Sequence, residues 1–183
     1  LLPQSARVRR IAFGGGSPNA ILPREMLALV DSLHSHFPLV APEWSIELDP
    51  RSLTEEWRGV VREVGITRAS MGVQTFAPHC QKTIGREQPA AMICRSIEWL
   101  RSGGVTSLNF DLMYGLPHQT AVDLEDSLER TRMMGADRVA VFGYAHVPHL
   151  VPRQTMIPES ALPGAEARFA MAAQAHAFLT DNG

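Results

Sequence analysis

Short apolar runs alternate with amphipathic helical stretches along almost the whole chain, and this alternation limits the fold more than any other feature of the sequence. The runs predict five strands, at residues 8–13, 44–48, 66–73, 105–113 and 138–142. Between these runs, and after the last one, apolar residues recur at helical spacing. Repeated β-then-α units require a parallel sheet with right-handed crossovers. We therefore predict an α/β fold, either an open doubly wound sheet or an incomplete (β/α) barrel.

Local start and stop signals place the predicted helices. Pro23 suits the first turn of a helix that carries Met26 and Val30 on one face. Ser52 and Glu55 have the spacing of a capping box, which predicts another helix immediately after them. Three further helices are predicted over residues 89–102, 121–134 and about 163–179, with Gly103-Gly104 ending the first of them.

The composition is that of an ordinary globular domain. The 183 residues fit a single domain over 1–183, and 45% hydrophobic residues are enough to bury a core. A net charge of -2 gives no reason to expect a nucleic acid as a partner. No apolar run approaches the roughly 18 residues of a membrane span, and no signal peptide is recognisable. We expect a cytoplasmic protein and a monomer.

Both ends of the sequence have the features of a fragment. The chain starts with Leu1-Leu2-Pro3 rather than with Met, and within ten residues it has entered a strand. It stops at Asp181-Asn182-Gly183, a helix-stop signal with nothing after it. We expect a piece of a larger chain, truncated at both ends.

Polar residues concentrate at the carboxyl ends of the predicted strands, where parallel α/β sheets carry their ligands. A core strand has no packing reason to carry Glu47, Gln74 or Asp111 inward, because buried acids are costly unless they are paired. We interpret these three side chains as facing a ligand. The first strand runs into Gly14-Gly15-Gly16, which is either a simple tight turn or a place where bare backbone meets a polar group such as an ammonium.

Single residues outside the strands allow two interpretations each. Arg86, ahead of a predicted helix, is either a solvated surface arginine or a fork that holds a carboxylate. Glu47 and Asp111 can accept hydrogen bonds from an ammonium or a ribose diol, or they can cap strand ends.

The two cysteines and the histidines do not predict a metal site. Cys80 and Cys94 are too far apart for one metal-binding loop, and Cys94, beside Ile93 in an apolar helix, is expected in the core. Three histidines flank strand ends without the spacing of a zinc site; they are His118, His146 and His149.

Six motifs occur in order along almost the whole chain. They are Gly14-Gly15-Gly16-Ser17-Pro18, Ser45-Ile46-Glu47-Leu48-Asp49-Pro50, Ser70-Met71-Gly72-Val73-Gln74-Thr75-Phe76, Gly85-Arg86-Glu87-Gln88, Asn109-Phe110-Asp111-Leu112-Met113-Tyr114-Gly115-Leu116-Pro117 and Phe142-Gly143-Tyr144-Ala145-His146-Val147-Pro148. Together they resemble the oxygen-independent coproporphyrinogen III oxidases, a family of radical S-adenosylmethionine (SAM) enzymes.

The resemblance implies a fold and a reaction. The family folds as a partial (β/α) barrel, and a C-x3-C-x2-C loop holds a 4Fe–4S cluster that binds SAM. Reductive cleavage of SAM gives a 5′-deoxyadenosyl radical, which takes a hydrogen atom from a propionate side chain. Loss of carbon dioxide and an electron leaves a vinyl group, and two such steps convert coproporphyrinogen III to protoporphyrinogen IX in haem biosynthesis.

The resemblance also implies roles for eight residues, divided between two molecules of SAM. Gly15 and Glu47 are expected to contact the cluster-bound molecule through its ammonium or ribose. The second molecule is expected to contact Gly16, Ser17, Gln74, Arg86, Asp111 and Ala145. Among these, Arg86 suits a carboxylate, and Asp111 and Gln74 supply hydrogen bonds of the kind that an amino acid or a ribose needs. No catalytic residue is assigned.

One part of the family's pattern does not occur in this sequence. It contains no C-x3-C-x2-C motif, so a cluster held by cysteine thiolates cannot form within it. We expect the first strand, the cluster loop and a C-terminal segment to belong to a longer parent enzyme, and the fragment alone to be inactive. The partners expected of that parent are coproporphyrinogen III, an electron donor and an electron acceptor.

Two alternatives stay open. The related haem-chaperone branch shares the barrel but binds and transfers haem, although the segment Tyr144-Ala145-His146 is closer to the oxidases. A generic α/β barrel could also bind an adenosyl nucleotide with no cluster. A C-x3-C-x2-C motif upstream of Leu1 would support a radical enzyme over this last alternative.

Overall fold

The computed structural model describes residues 7–182. The expectation of truncated ends rests partly on Leu1-Leu2-Pro3 and Gly183, which lie outside this range. The strands are β1 (Val8–Phe13), β2 (Leu39–Leu48), β3 (Ile66–Gln74), β4 (Ser107–Tyr114) and β5 (Arg138–Gly143). The helices are α1 (Pro23–His36), α2 (Trp57–Val64), α3 (Pro78–Thr83), α4 (Ala90–Gly103), α5 (Ala121–Met133) and α6 (Ala165–Asp181). The five strands form one sheet in chain order, and the pairs β1–β2 and β2–β3 are parallel.

The alternation of strands and helices predicted from the sequence is confirmed, with two local differences. The second strand starts earlier than predicted, at Leu39, and the short helix α3 was not predicted. The capping box is wrong, because α2 begins only at Trp57 and its N-cap residue makes no side-chain cap bond. Glu55 instead forms an ion pair with Arg58 at 3.2 Å.

The chain divides into two compact units. Unit 1 comprises Leu1–Gly72 and Met92–Asn109, and unit 2 comprises Val73–Ala91 and Phe110–Gly183. The prediction of a single domain over residues 1–183 stays a prediction.

Unit 1 is built around large buried side chains on β2, α2 and β3, among them Ile46, Trp57 and Ile66. Helices α2 and α4 approach closely, since a Cβ on Gly103 would lie 2.9 Å from Val61 Cγ1. The strand register aligns the polar residues at the strand ends of this unit. Phe13 pairs with Ile46, and Glu47 pairs with Ser70. The carboxyl ends of β1 and β2 therefore lie side by side, and the end of β2 lies beside Ser70 and Met71 of β3.

Unit 2 has its own core, formed by Phe110, Leu112 and Leu116 together with Leu124 and Leu128 of α5. A capping box starts α5, in which the side chain of Thr120 accepts from the backbone N–H of Asp123 and Asp123 accepts in return. This arrangement satisfies backbone donors that the first turn of a helix otherwise leaves without partners.

The expectation that Cys94 is a core residue is wrong. Helix α4 buries Ile93, Ser96 and Leu100, whereas Cys94 is exposed. Successive helical residues point about 100° apart, so the neighbour of a buried residue often faces solvent. Cys80 of α3, by contrast, is fully buried.

Within residues 7–182, no helix combines the length and the apolar character that crossing a bilayer requires.

Candidate functional site

In unit 1 the glycine turn after β1 meets the carboxylate at the end of β2. The backbone N–H of Gly15 donates to Glu47 Oε2 at 3.3 Å. A Cβ on Gly14 would lie 3.0 Å from the carboxylate carbon of Glu47, so a larger residue there would push this carboxylate away from the turn. The exposed carboxylate of Glu47 keeps acceptor capacity for an ammonium or a ribose hydroxyl.

The rest of this turn uses backbone conformations that favour glycine. Gly15 and Gly16 have φ angles of 75° and 86°, in the left-handed region that favours glycine. Ser17 follows as the N-cap of a short 3-10 helix, with no side-chain cap bond. The structure thus brings Gly15 next to Glu47 and places Gly16 and Ser17 in the same turn; their roles in binding SAM stay predictions.

In unit 2 two of the predicted residues line one cavity of about 400 Å³. Gln74, the last residue of β3, and Arg86, after α3, both lie in its wall. The buried ring of Tyr144 lies in the same wall, and burial raises the pKa of its phenol. Gln74 has a φ of 68°, a strained conformation for a residue other than glycine, of the kind that occurs often at ligand sites.

Two buried glutamines fix the segment that carries Arg86. Gln81 accepts from the backbone N–H of Gln88 at 2.9 Å and donates to the carbonyl oxygen of Thr75 at 2.7 Å. Gln88 donates to the carbonyl oxygen of Val73 at 2.6 Å and accepts from Arg86 at 3.4 Å. A side-chain amide can both donate and accept, so each glutamine satisfies backbone groups on two sides of the loop.

The loop after β5 is held in the same way by Gln154. This side chain accepts from the backbone N–H of Val147 and donates to the carbonyl oxygen of Ala145 at 3.0 Å. Ala145 is exposed, between the cavity residue Tyr144 and His146. Its backbone geometry is therefore set by a contact nine residues away along the chain.

Four other candidate residues do not line this cavity; they are Asp111, His118, His146 and His149. Asp111 is half-buried on β4, two residues before the lining residue Met113. His146 Nδ1 is buried and has no hydrogen-bond partner among the described residues. His118 has a φ of 61° and donates its N–H to the carbonyl oxygen of Ala161, and His149 is exposed in a turn.

One group of side chains in unit 2 has the composition of a metal site. Ligand atoms of His79, Cys80 and Asp123 lie within 4.8 Å of one another. Asp123 Oδ2, however, already accepts from the N–H and the hydroxyl of Thr120, at 2.8 and 2.7 Å. Burial, and then the charge of Asp123, raise the pKa of the Cys80 thiol to about 12, so the thiol on its own is protonated at neutral pH. In this structure Asp123 caps α5 beside that buried thiol.

We expect an alkylating reagent at pH 8 to modify Cys94 in the folded protein and to leave Cys80 unmodified. The thiolate is the reactive form, and a pKa of about 12 leaves only a trace of it at Cys80. Because this pKa lies above the ordinary value of 9.0, the protonated thiol favours folding below pH 9, and this contribution falls as the pH rises toward 12. Mass spectrometry before and after unfolding in urea measures the labelling. Equal labelling of both cysteines in the folded protein would contradict the assignment.

Several residues that shape the cavity could not be recognised from the sequence. Gln81 and Gln154 stand in segments where glutamine is normally solvated, and nothing around Lys82 or Arg153 distinguishes them from ordinary surface cations. Gln88 occurs in the motif Gly85-Arg86-Glu87-Gln88, but its contact with Gln81 is seen only in the fold.

The comparisons with known proteins agree on one family. The sequence profile of the Radical SAM superfamily matches residues 2–131. The oxygen-independent coproporphyrinogen III oxidase of Paracoccus denitrificans is 42% identical over 169 residues, which are 91% of this chain and 37% of that protein. The enzyme of the same name from Cereibacter sphaeroides (strain ATCC 17025) is 39% identical over 183 residues, or 100% of this chain and 40% of that protein.

A solved structure agrees with the sequence relatives. The coproporphyrinogen III oxidase (HemN) of Escherichia coli, described as a radical SAM enzyme, superimposes with a TM-score of 0.92 at 35% identity. The match covers 97% of this chain and 41% of that one, so the chain spans about two fifths of the length of the proteins that it matches. This structural match confirms the predicted fold class, a partial (β/α) barrel of parallel strands. The chain belongs to the radical SAM superfamily.

Proposed function

We propose that the protein to which this chain belongs converts coproporphyrinogen III to protoporphyrinogen IX without oxygen, and that this chain supplies its SAM-binding residues. The observation that carries the proposal is the cavity of unit 2, in whose wall Gln74 and Arg86 lie together with Tyr144 of the Tyr-Ala-His segment. The names of the relatives support the substrate.

The residues of the chain fit the amino-acid part of SAM. A guanidinium is the side chain best suited to a carboxylate, and Arg86 is held in place through Gln88. In unit 1 the carboxylate of Glu47 and the bare backbone of Gly15 suit an ammonium or a ribose. SAM bound to a reduced 4Fe–4S cluster supplies the 5′-deoxyadenosyl radical in this superfamily. The residues of this chain would bind and orient the molecule.

The residues of the chain do not fit the cluster. Its two cysteines are fourteen positions apart, and one is a buried, protonated thiol while the other is exposed on α4. A 4Fe–4S cluster needs several thiolates converging on one point. We infer that its ligands come from residues outside these 183.

The proposal is tested on the full-length protein, reconstituted without oxygen from iron and sulfide. We expect cleavage of SAM coupled to the appearance of protoporphyrinogen IX, measured by chromatography of the oxidised porphyrins. Cleavage without conversion of coproporphyrinogen III would contradict the proposed substrate. Stable binding of haem with neither cleavage nor conversion would assign the protein to the haem-chaperone branch.

A further inference from the structure

Three cationic side chains line the cavity of unit 2, and no carboxylate of the described residues lines it. The three are Lys82, in the last turn of α3, Arg86, and Arg153 of the short 3-10 helix Pro152–Met156. Lys82 is also the only lysine in the chain. Like charges around one cavity create a positive potential that concentrates anions. The lining therefore selects for a negatively charged ligand.

Two of these cations are exposed and available to a ligand. Within residues 7–182, neither Lys82 nor Arg153 forms an ion pair with an aspartate or a glutamate. Elsewhere in unit 2, by contrast, Arg130 pairs with Asp126 at 2.7 Å. A solvated cation without a protein partner loses little when it exchanges water for a ligand carboxylate.

Apolar side chains form much of the rest of the wall, beside the polar residues Gln74, Thr83 and Gln154. Ile84, Met113 and Ile157 line the cavity together with the ring of Tyr144. Tyr144 also belongs to a buried cluster with Ala77, Cys80 and Leu116, so this wall is backed by packed side chains. An apolar wall with cations at its rim suits a ligand that has a hydrophobic body and several carboxylates. At about 400 Å³ the cavity admits part of such a ligand.

We propose that Lys82 and Arg153 form an anion-binding rim that receives propionate carboxylates of coproporphyrinogen III. This inference rests on the proposed function and deepens it, because it assigns substrate recognition to residues distinct from Arg86. The carboxylate at the rim could come from either of two sources, the tetrapyrrole or the amino-acid part of SAM. The test separates them.

The experiment measures equilibrium binding to the full-length reconstituted protein under anaerobic conditions. The probes are coproporphyrinogen III, its tetramethyl ester, which lacks the negative charges, and SAM. The variants are Lys82→Met and Arg153→Met, which keep most of the side-chain volume. Arg138→Met, at an exposed position at the start of β5 outside the cavity, is the matched control.

We expect each rim variant to weaken binding of coproporphyrinogen III by roughly tenfold, the value of one partly exposed charge-assisted hydrogen bond. Affinity for the ester and for SAM should stay within about twofold, because neither ligand engages the rim charges. The loss should shrink at high salt, and Lys82→Arg should restore most of the affinity. The control should match the wild type.

Other outcomes would overturn either the proposed anion-binding rim or the proposed reaction. Weaker binding of SAM alone would assign the rim cations to SAM and overturn the proposal. Equal affinity of the wild type for the acid and the ester would also overturn it, while leaving the proposed reaction standing. Tight, charge-dependent binding without conversion would contradict the proposed reaction and leave the rim standing.

Discussion

Replacing Arg86 with alanine should weaken binding of SAM by the full-length protein by roughly 30-fold to 4,000-fold, the equivalent of about 2–5 kcal/mol. The range is that of a hydrogen-bonded charge pair from which one partner is removed. Arg86 is half-buried in the cavity wall and is oriented by Gln88. In the alanine variant a bound carboxylate would lose its hydrogen-bond partner, and water would replace that partner only in part. Isothermal titration under anaerobic conditions measures the loss.

Two further variants make the Arg86 result specific. Arg86→Lys keeps the charge but loses the planar fork, so we expect an intermediate loss of affinity for SAM. Arg138→Ala removes an exposed arginine from the same unit and should leave the affinity unchanged. If Arg86→Ala bound SAM as the wild type does, the assignment of Arg86 as the carboxylate partner would be wrong.

Much of the fold followed from periodicity, because local patterns determine local structure. Parallel strands place their carboxyl ends at one edge, so the sequence predicts that the polar ends of β1 and β2 lie at the same edge, and there the structure shows Gly15 meeting Glu47. The predicted capping box is wrong because Ser52 and Glu55 could cap only a helix that begins directly after Ser52, and α2 begins at Trp57. The expected burial of Cys94 is wrong because a residue beside a buried one on a helix points about 100° away from it, and Ile93 rather than Cys94 faces the core.

The details of the cavity in unit 2 could not be predicted from the sequence. Whether a glutamine is buried depends on the packing of residues that are distant in the chain, and Tyr144 and Leu116 meet Cys80 only in the folded cluster. Lys82 and Arg153 are seventy-one positions apart and come to one cavity through α3 and a 3-10 helix, neither of which has a strong sequence signal. Single lysines, arginines and glutamines are usually exposed to solvent, so their presence in a sequence does not predict a cavity.

Replacing Gln81 with leucine should destabilise the protein by about 2–6 kcal/mol, because it leaves at least two buried backbone groups without their partner at roughly 1–3 kcal/mol each. The groups concerned are the N–H of Gln88 and the carbonyl oxygens of Thr75 and Gln88. Leucine is close to glutamine in volume, so packing changes little. Urea unfolding, followed by far-UV circular dichroism, gives the free energy of unfolding.

The control for this loss is the same substitution at a half-buried glutamine of α6, Gln174→Leu, which removes one exposed 3.3 Å hydrogen bond to the carbonyl oxygen of Ala121 and should cost less than about 1 kcal/mol. Gln81→Glu separates packing from hydrogen bonding. It keeps an acceptor for the N–H of Gln88 but turns a carboxylate toward two carbonyl oxygens, so it should also be destabilising. If Gln81→Leu and Gln174→Leu cost the same, the loop is held by its packing rather than by the amide of Gln81. In that case the position of Arg86 would depend on the packing of this segment, in which Ile84 lies against the cluster of Ala77, Cys80, Leu116 and Tyr144.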